Sequence, residues 1–244
     1  MTRISDLPPP YSTVVFDCDS TLSAVEGIEY LVEAKGGELA ERIATMTAAA
    51  MDGTLPLEEV YGARLELVRP SRSDLETVGR AYIERALPGS RDLIAALLRL
   101  GKTVAIVSGG LRIPVLILAE HLGLDPALVH AVDTHHASSN GAYLGFDQSS
   151  PLARSGGKPQ VLRELRKTHP GPLALIGDGA TDLEAAAVPA SPVTRFIAFG
   201  GVDRRDGVFS AAEVTSESKD LCALLPLLCT PDELEILGHA EQGA

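Results

Sequence analysis

The stretch Thr13-Val14-Val15-Phe16-Asp17-Cys18-Asp19-Ser20-Thr21 decides the fold. Its β-branched and aromatic residues run straight into two aspartates, the pattern of a buried strand whose carboxyl end carries polar chemistry. The pattern recurs twice. Thr103-Val104-Ala105-Ile106-Val107 runs into Ser108-Gly109-Gly110, and Leu173-Ala174-Leu175-Ile176 runs into Gly177-Asp178-Gly179-Ala180-Thr181-Asp182. Helix-period segments lie between them. Asp92 to Leu100 puts Leu93, Ile94, Leu97 and Leu98 on one face, with Ser90 as expected N-cap and Gly101 as stop. Strands alternating with helices predict an α/β fold built on a parallel sheet. In open sheets of this class the ligand crevice lies beyond the carboxyl ends of the strands, where all three motifs fall.

Spacing adds a second layer. Between Thr21 and Ser108 stand 86 residues, whereas a βαβ crossover takes roughly thirty or a little more. The surplus, residues 22–87, carries helical periodicity through Ile43, Met46 and Ala50, then Leu65 and Val68, then Leu75, Val78 and Ile83. It is expected to form a helical cap that closes over the site. The core then comprises 13–21 and 88–244. Within it, a small β-hairpin is expected near 129–147, where Asn140-Gly141 separates extended segments, and His130, His135 and His136 fall in that hairpin. Residues 1–12 look like a disordered lead-in. In the tail, Glu217 to Leu228 is expected to form a last amphipathic helix and Gly238 to Ala244 to fray.

The chain of 244 residues is 45% hydrophobic, enough for one sizeable core plus an insertion, and its formal charge is -12. That charge argues against nucleic acid and anionic membrane, both of which bind through surplus Lys and Arg. Cys18, Cys222 and Cys229 are odd in number and lack CxxC spacing, so a reducing cytoplasm is the expected setting. No apolar run approaches the length of a membrane span.

Taken singly, Asp-x-Asp after a strand is usually a turn or helix cap, Ser-Gly-Gly a loop and a lysine a solvated charge. Their order changes the reading. The paired carboxylates Asp17 and Asp19, the hydroxyl and glycines of Ser108-Gly109-Gly110, Lys158 at the end of Ser155-Gly156-Gly157-Lys158, and Asp178 with Asp182 together supply the parts of phosphoryl transfer through an aspartyl-phosphate. A carboxylate approaching a phosphate dianion meets like charge. At ~4 Å and an effective dielectric near 20, each pair of unit charges amounts to about 4 kcal/mol, so cations are required. Lys158 is one, and Mg2+, which favours oxygen ligands, suits Asp17 and Asp178. Cys18, inside the same loop, reads as packing that can be oxidised.

From about Thr13 to Gly201 these motifs resemble the haloacid dehalogenase superfamily, and more narrowly its phosphoserine phosphatase family. Glu26-Gly27-Ile28, Met46-Thr47, Met51, Arg64-Leu65, Pro70-Ser71-Arg72, Gly145-Phe146-Asp147 and the long form GDGATDLEA carry the narrower match. The resemblance implies a Rossmann-like core, an inserted helical cap, obligatory Mg2+ and hydrolysis of O-phosphoserine in the last step of serine synthesis. It implies Asp17 as nucleophile and Asp19 as general acid and base, Asp19 also offering its backbone carbonyl to the metal. Asp182 would orient a metal-bound water from outside the inner ligand set. Ser108, the Gly109 N–H and Lys158 would hold the phosphoryl group and Thr181 would bind substrate, while Glu26 and Arg64 would read the serine moiety, with Met51 packing beside it and main-chain groups near Gly109 and Gly110 contributing. Leu57 departs from the aromatic residue found in many members and predicts a looser apolar wall. A homodimer is compatible with the resemblance.

Two alternatives stand beside this reading. One is a related phosphatase or phosphotransferase acting on phosphohomoserine, phosphothreonine, phosphoethanolamine or another small ester. The other is a non-catalytic binder of a phospho-ligand, against which the intact Asp17, Asp19, Lys158 and Asp178 argue.

Overall fold

A computed structural model describes residues 9–33, 37–51 and 57–241, with the side chains of 47–51, 57 and 239–241 excepted. The elements follow in the order β1 (Thr13–Phe16), α1 (Gly27–Glu33), α2 (Gly37–Met51), α3 (Leu57–Val68), α4 (Arg72–Glu84) and α5 (Ser90–Arg99). Then come β2 (Thr103–Leu111), α6 (Arg112–Leu122), β3 (Val129–Val132), β4 (Thr134–His136), β5 (Tyr143–Phe146) and α7 (Gly157–Thr168). The chain ends with β6 (Leu173–Gly177), α8 (Ala180–Ala187), β7 (Arg195–Phe199), α9 (Asp206–Ala211), β8 (Val214–Ser216), α10 (Leu225–Leu228) and α11 (Pro231–Glu241).

The main sheet has the strand order β3-β2-β1-β6-β7-β8, parallel throughout. Strand β1 is buried along its whole length, as a strand covered by helices on both faces must be, which explains its unbroken apolar sequence. From β1 the chain builds outward to β3, then returns to the other side of β1 with β6. The strand order therefore reverses between β1 and β6, the position where such sheets open a crevice. Phe16 lies opposite both Ile106 and Ile176, so the three polar motifs emerge side by side at one edge.

The segment inserted after β1 folds into α1 to α4. Its apolar positions Ile43, Leu65, Val68, Leu75 and Val78 are buried, and α4 packs along α6 of the core. Ser71 and Asp74 close a capping box at the start of α4, which explains the sharp helix start after Pro70. Where the segment leaves and rejoins the core, the two chain ends are tied by Ala24 N–H to Arg85 O at 2.9 Å and Leu87 N–H to Leu22 O at 3.0 Å.

Six expectations are corrected. Strand β2 does not stop at Val107 but continues through Leu111, with a register shift against β3 between Val107 and Leu111, so Ser108, Gly109 and Gly110 sit in an irregular strand end. Helix α5 begins at Ser90, and its cap is Gly89 at φ 73°. A side chain there would strike Asp220 and Cys222. The hairpin is smaller than 129–147: β3 belongs to the main sheet, carrying His130 with it, and only β4 and β5 pair as the antiparallel ribbon. Its connection is six residues long, closed by Ala137 N–H to Ala142 O at 2.8 Å, rather than a two-residue Asn-Gly turn. At the N-terminus, residues 1–8 lie outside the described residues. Tyr11 is buried and Ser12 donates to Pro172 O at 3.0 Å, so the end of the expected lead-in is part of the core. In the tail, Glu217 to Leu228 is a 3-10 turn followed by the short α10, because Asp220 caps Cys222 N–H at 2.9 Å and Pro226 restarts the helix. Helix α11 runs past Gly238 to Glu241, and the rest of the expected frayed end, 242–244, lies outside the described residues.

Candidate active site

Asp17 follows directly on β1 and donates its N–H to Ile176 O at 2.9 Å. This holds it one residue beyond the paired strands, beside Asp178 at the end of β6. Lys158 comes from the first turn of α7. That turn approaches so closely that a Cβ on Gly157 would lie 1.7 Å from Pro151 O, so glycine is required there. The Lys158 ammonium donates to Asp17 Oδ2 and to Asp182 Oδ1, each at 2.6 Å. Burial alone would lower the lysine pKa, but the two carboxylates outweigh it and raise it. Asp182 accepts the Gly179 N–H through Oδ2 at 3.1 Å, fixing the start of α8. A Cβ on Gly177 would lie 2.3 Å from the Asp182 carboxyl carbon, so Gly177 and Asp182 fit only as a pair. Asp178 accepts the Thr21 hydroxyl at 3.0 Å and lies 3.2 Å from Arg205 Nη2.

Carboxylate oxygens of Asp17, Asp178 and Asp182 all lie within 4.8 Å of one another. Burial, reinforced by the Asp17 charge, pushes Asp178 up to about 7. Asp182 is pushed up by burial to about 8 although Lys158 opposes the shift. Lys158 and Arg205 bring two positive charges to three carboxylates. The donors of the cluster are hard oxygens, and the adjacent Cys18 thiol is held well above its ordinary pKa by burial and by Asp19 and Asp17, so it contributes no thiolate. The arrangement fits a divalent cation of the oxygen-loving kind.

A cleft of about 760 Å³ opens onto the cluster. Asp17, Asp19, Ser108, Gly109, Gly110, Lys158, Asp178 and Thr181 line it on the core side, and Glu26 and Arg64 line it from the inserted segment. Asp182 lies behind the wall, fully buried. The Gly110 N–H donates to Ser108 Oγ at 3.0 Å, leaving the serine hydroxyl proton free to be donated into the cleft. Asp19 accepts the Gly27 N–H at 3.0 Å and the Tyr82 hydroxyl at 2.5 Å. Burial, with the Glu26 charge next in weight, pushes Asp19 up to about 8. Glu26 is likewise raised, chiefly by burial. It accepts from Ser20 Oγ at 2.7 Å and lies 3.5 Å from Arg205. Arg64 pairs with Glu29 at 3.3 Å, so the two charges of the inserted segment named from the sequence, Glu26 and Arg64, are not spent on each other. The side chains of Met51 and Leu57 lie outside the described residues.

Four contributors escaped sequence reasoning. Arg205 links Asp178, Glu26 and Asp203, yet it stands in a loop without period. Tyr61 and Tyr82 lie within helices α3 and α4, where nothing in the sequence separates a functional tyrosine from a packed one. Thr21, by contrast, was visible as the last residue of the first motif, and its hydroxyl next to two carboxylates was a usable signal.

Comparison with known proteins identifies the family of the chain. The family model described as haloacid dehalogenase-like hydrolase matches residues 14–187. The chain is 37% identical over 212 residues to a chloroplastic phosphoserine phosphatase of Arabidopsis thaliana, covering 86% of this chain and 70% of the relative. With the phosphoserine phosphatase of Mus musculus it shares 39% over 189 residues, 77% of this chain and 81% of that one. Among solved structures, a phosphoserine phosphohydrolase-like protein from Francisella tularensis superposes with a TM-score of 0.79 at 24% identity, over 89% of this chain and all of the other, which supports the fold. The chain thus belongs to the haloacid dehalogenase-like hydrolases and, among them, to the phosphoserine phosphatase family.

Proposed function

We propose that this protein hydrolyses O-phosphoserine to serine and phosphate through an aspartyl-phosphate on Asp17. The observation that carries the proposal is the two-sided cleft: groups suited to a phosphoryl dianion line the core wall, and Glu26 and Arg64, with opposite charges, line the facing wall. A free amino acid carries an ammonium and a carboxylate, and Arg64 can grip the latter with two parallel hydrogen bonds. The relatives named above are phosphoserine phosphatases, which supports the same substrate.

In the first step Asp17 attacks phosphorus, the bond from phosphorus to the serine oxygen breaks, and Asp19 gives that oxygen its proton. In the second, Asp19 takes a proton from water, which attacks phosphorus and frees Asp17. Lys158 holds Asp17 and the phosphoryl oxygens, while the Ser108 hydroxyl and the Gly109 N–H bind equatorial oxygens as charge spreads. Asp17 and Asp178, with the Asp19 backbone carbonyl, would hold Mg2+, and Asp182 would act behind them. When bound, the ion would neutralise phosphate charge and polarise phosphorus. Residues 22–87 act as the cap that excludes water, and Thr181 adds a contact on the phosphate side. Three free cysteines support a reducing, cytoplasmic setting, and the reaction would be the last step of serine synthesis.

Phosphate release from purified protein, with and without Mg2+, tests the proposal across phosphoserine, phosphothreonine, phosphohomoserine, phosphoethanolamine and glycerol phosphate. Mg2+-dependent preference for phosphoserine is expected. Preference for another ester would discard the substrate while keeping the mechanism, and no release from any ester would overturn both.

A further inference from the structure

We propose that Tyr82 is a positioning residue for Asp19, aiming the carboxyl group that exchanges the proton with the leaving oxygen and with water. The proposal rests on the phosphatase reading above. The two oxygens of Asp19 are held by different elements. Oδ2 accepts the N–H of Gly27, the first residue of α1, at 3.0 Å, and Oδ1 accepts the hydroxyl of Tyr82, on α4, at 2.5 Å. The tyrosine side chain is fully buried, so its hydroxyl has no water to turn to and its direction is set by the protein.

Three features make this contact more than an aromatic residue finding an acceptor. Position 27 is glycine, and a Cβ there would lie 2.5 Å from the Tyr82 hydroxyl oxygen, so the two neighbours of Asp19 fit around it together. Oδ1 also faces the phosphate side, since a Cβ on Gly110 would lie 3.4 Å from it. A carboxylate oxygen has two lone pairs, and with Tyr82 occupying one, the other remains for a proton exchanged in the cleft. Finally, Tyr82 stands just ahead of the backbone ties from Ala24 to Arg85 and from Leu87 to Leu22, and α4 packs on α6. The donor is thereby fixed to the core and holds Asp19 whether or not the rest of the inserted segment moves.

Tyr82→Phe keeps the ring and removes the donor. The informative comparison is between phosphoserine, whose alkoxide must be protonated as it leaves, and p-nitrophenyl phosphate, whose phenolate leaves without a proton. The ratio kcat/KM covers events up to phosphoryl transfer to Asp17, and kcat includes the attack of water. We expect kcat/KM for phosphoserine to fall about tenfold or more, a fraction of the ~10²–10⁴ that acid-base catalysis supplies, while kcat/KM for p-nitrophenyl phosphate stays within about twofold. In both cases kcat should fall, because Asp19 serves the second step for either substrate. Equal losses in kcat/KM, or none, would overturn the proposal. Should Tyr82→Phe fail to fold, Gly27→Ala, whose methyl group displaces the tyrosine hydroxyl, must give the same split. If wild-type protein spares phosphoserine but hydrolyses another alkyl phosphate, the substrate assignment fails, and the same comparison with that ester decides the role of Tyr82.

Discussion

The hydroxyl of Tyr61, on α3, donates to the carbonyl oxygen of Gly109 at 2.9 Å. Because the Gly110 N–H is bonded to Ser108 Oγ at 3.0 Å, the peptide unit between the two glycines is held at both ends. Glycine has the widest conformational freedom of any residue, so an unsecured Gly-Gly peptide would have to be ordered during each catalytic cycle. Tyr61 itself is buried and tilted against Phe146 of β5, ring centroids 5.5 Å apart. Tyr61→Phe preserves that packing but leaves a carbonyl without its donor, at a cost of about 1–3 kcal/mol. We expect kcat/KM for phosphate release to fall roughly tenfold, with the thermal midpoint lowered by about 2–4 °C for each kcal/mol lost. An unchanged kcat/KM would mean that Ser108 alone secures the peptide.

Arg64 is oriented before any substrate arrives. Its guanidinium is paired with Glu29 at 3.3 Å, lies 6.0 Å from the centre of the Tyr61 ring, and keeps 11% of its side chain exposed, facing the cleft. Arg64→Ala should lower kcat/KM for phosphoserine by roughly a hundredfold, the range of a charge-assisted pair of hydrogen bonds, and that for p-nitrophenyl phosphate by much less. Arg64→Lys should recover only part of the loss, since an ammonium cannot make the two-pronged contact. Equal losses on both substrates would remove Arg64 from substrate recognition.

The central strands and the groups at their ends were legible because a buried parallel strand must be continuously apolar and must surrender to polar residues where the crevice opens. Val14 to Asp17 and Leu175 to Asp178 announce that change within one residue. Lys158 was legible only through its glycine-rich approach and its order in the chain. Tyr82 and Tyr61 were not, because a tyrosine at a helix core position looks the same whether its hydroxyl meets a carboxylate of the cleft or a neutral carbonyl. Arg205 was invisible for a different reason: its partners Asp178 and Glu26 are brought to it by tertiary folding alone. The hairpin was misjudged because Asn140-Gly141 suggests a tight turn, whereas Gly141, at φ 69°, ends a wider loop whose N–H returns to Ala137 O at 2.8 Å.

The acidic cluster should bind a divalent cation in competition with protons. In the cation-free protein burial pushes Asp178 up to about 7 and Asp182 up to about 8. A cation needs the charged carboxylates, so lowering the pH through this range protonates the cluster and opposes binding. Isothermal titration calorimetry with Mg2+ should show affinity falling as pH drops from about 8 to 6, by up to tenfold per unit below the pKa of each carboxyl that must be deprotonated. Proton release on binding should be visible as a dependence of the heat on the buffer. Affinity that is flat over this interval would show that the carboxylates are already charged in the cation-free protein.

Lys102 closes the far end of the molecule and separates stability from catalysis. Standing just before β2, at the opposite end of the sheet from the cleft, it donates to Tyr11 O at 2.9 Å and to Glu233 Oε1 at 2.5 Å. Glu233 in turn accepts the Thr230 N–H at 2.8 Å at the start of α11. One buried ammonium thus fastens the N-terminal segment and the last helix to the central sheet. Breaking a fully buried pair costs about 3–5 kcal/mol. Glu233 keeps 20% of its side chain exposed, so the carboxylate left behind in Lys102→Met can turn toward water and the loss should be nearer about 1–3 kcal/mol. Urea unfolding of Lys102→Met, Glu233→Gln and the double variant measures it. Because the two groups contact each other, the double variant should be more stable than the sum of the single losses predicts, and kcat/KM should stay within about twofold in all three. Strict additivity would mean that the two side chains act on stability independently. A large loss of activity would mean that this end of the sheet communicates with the cleft.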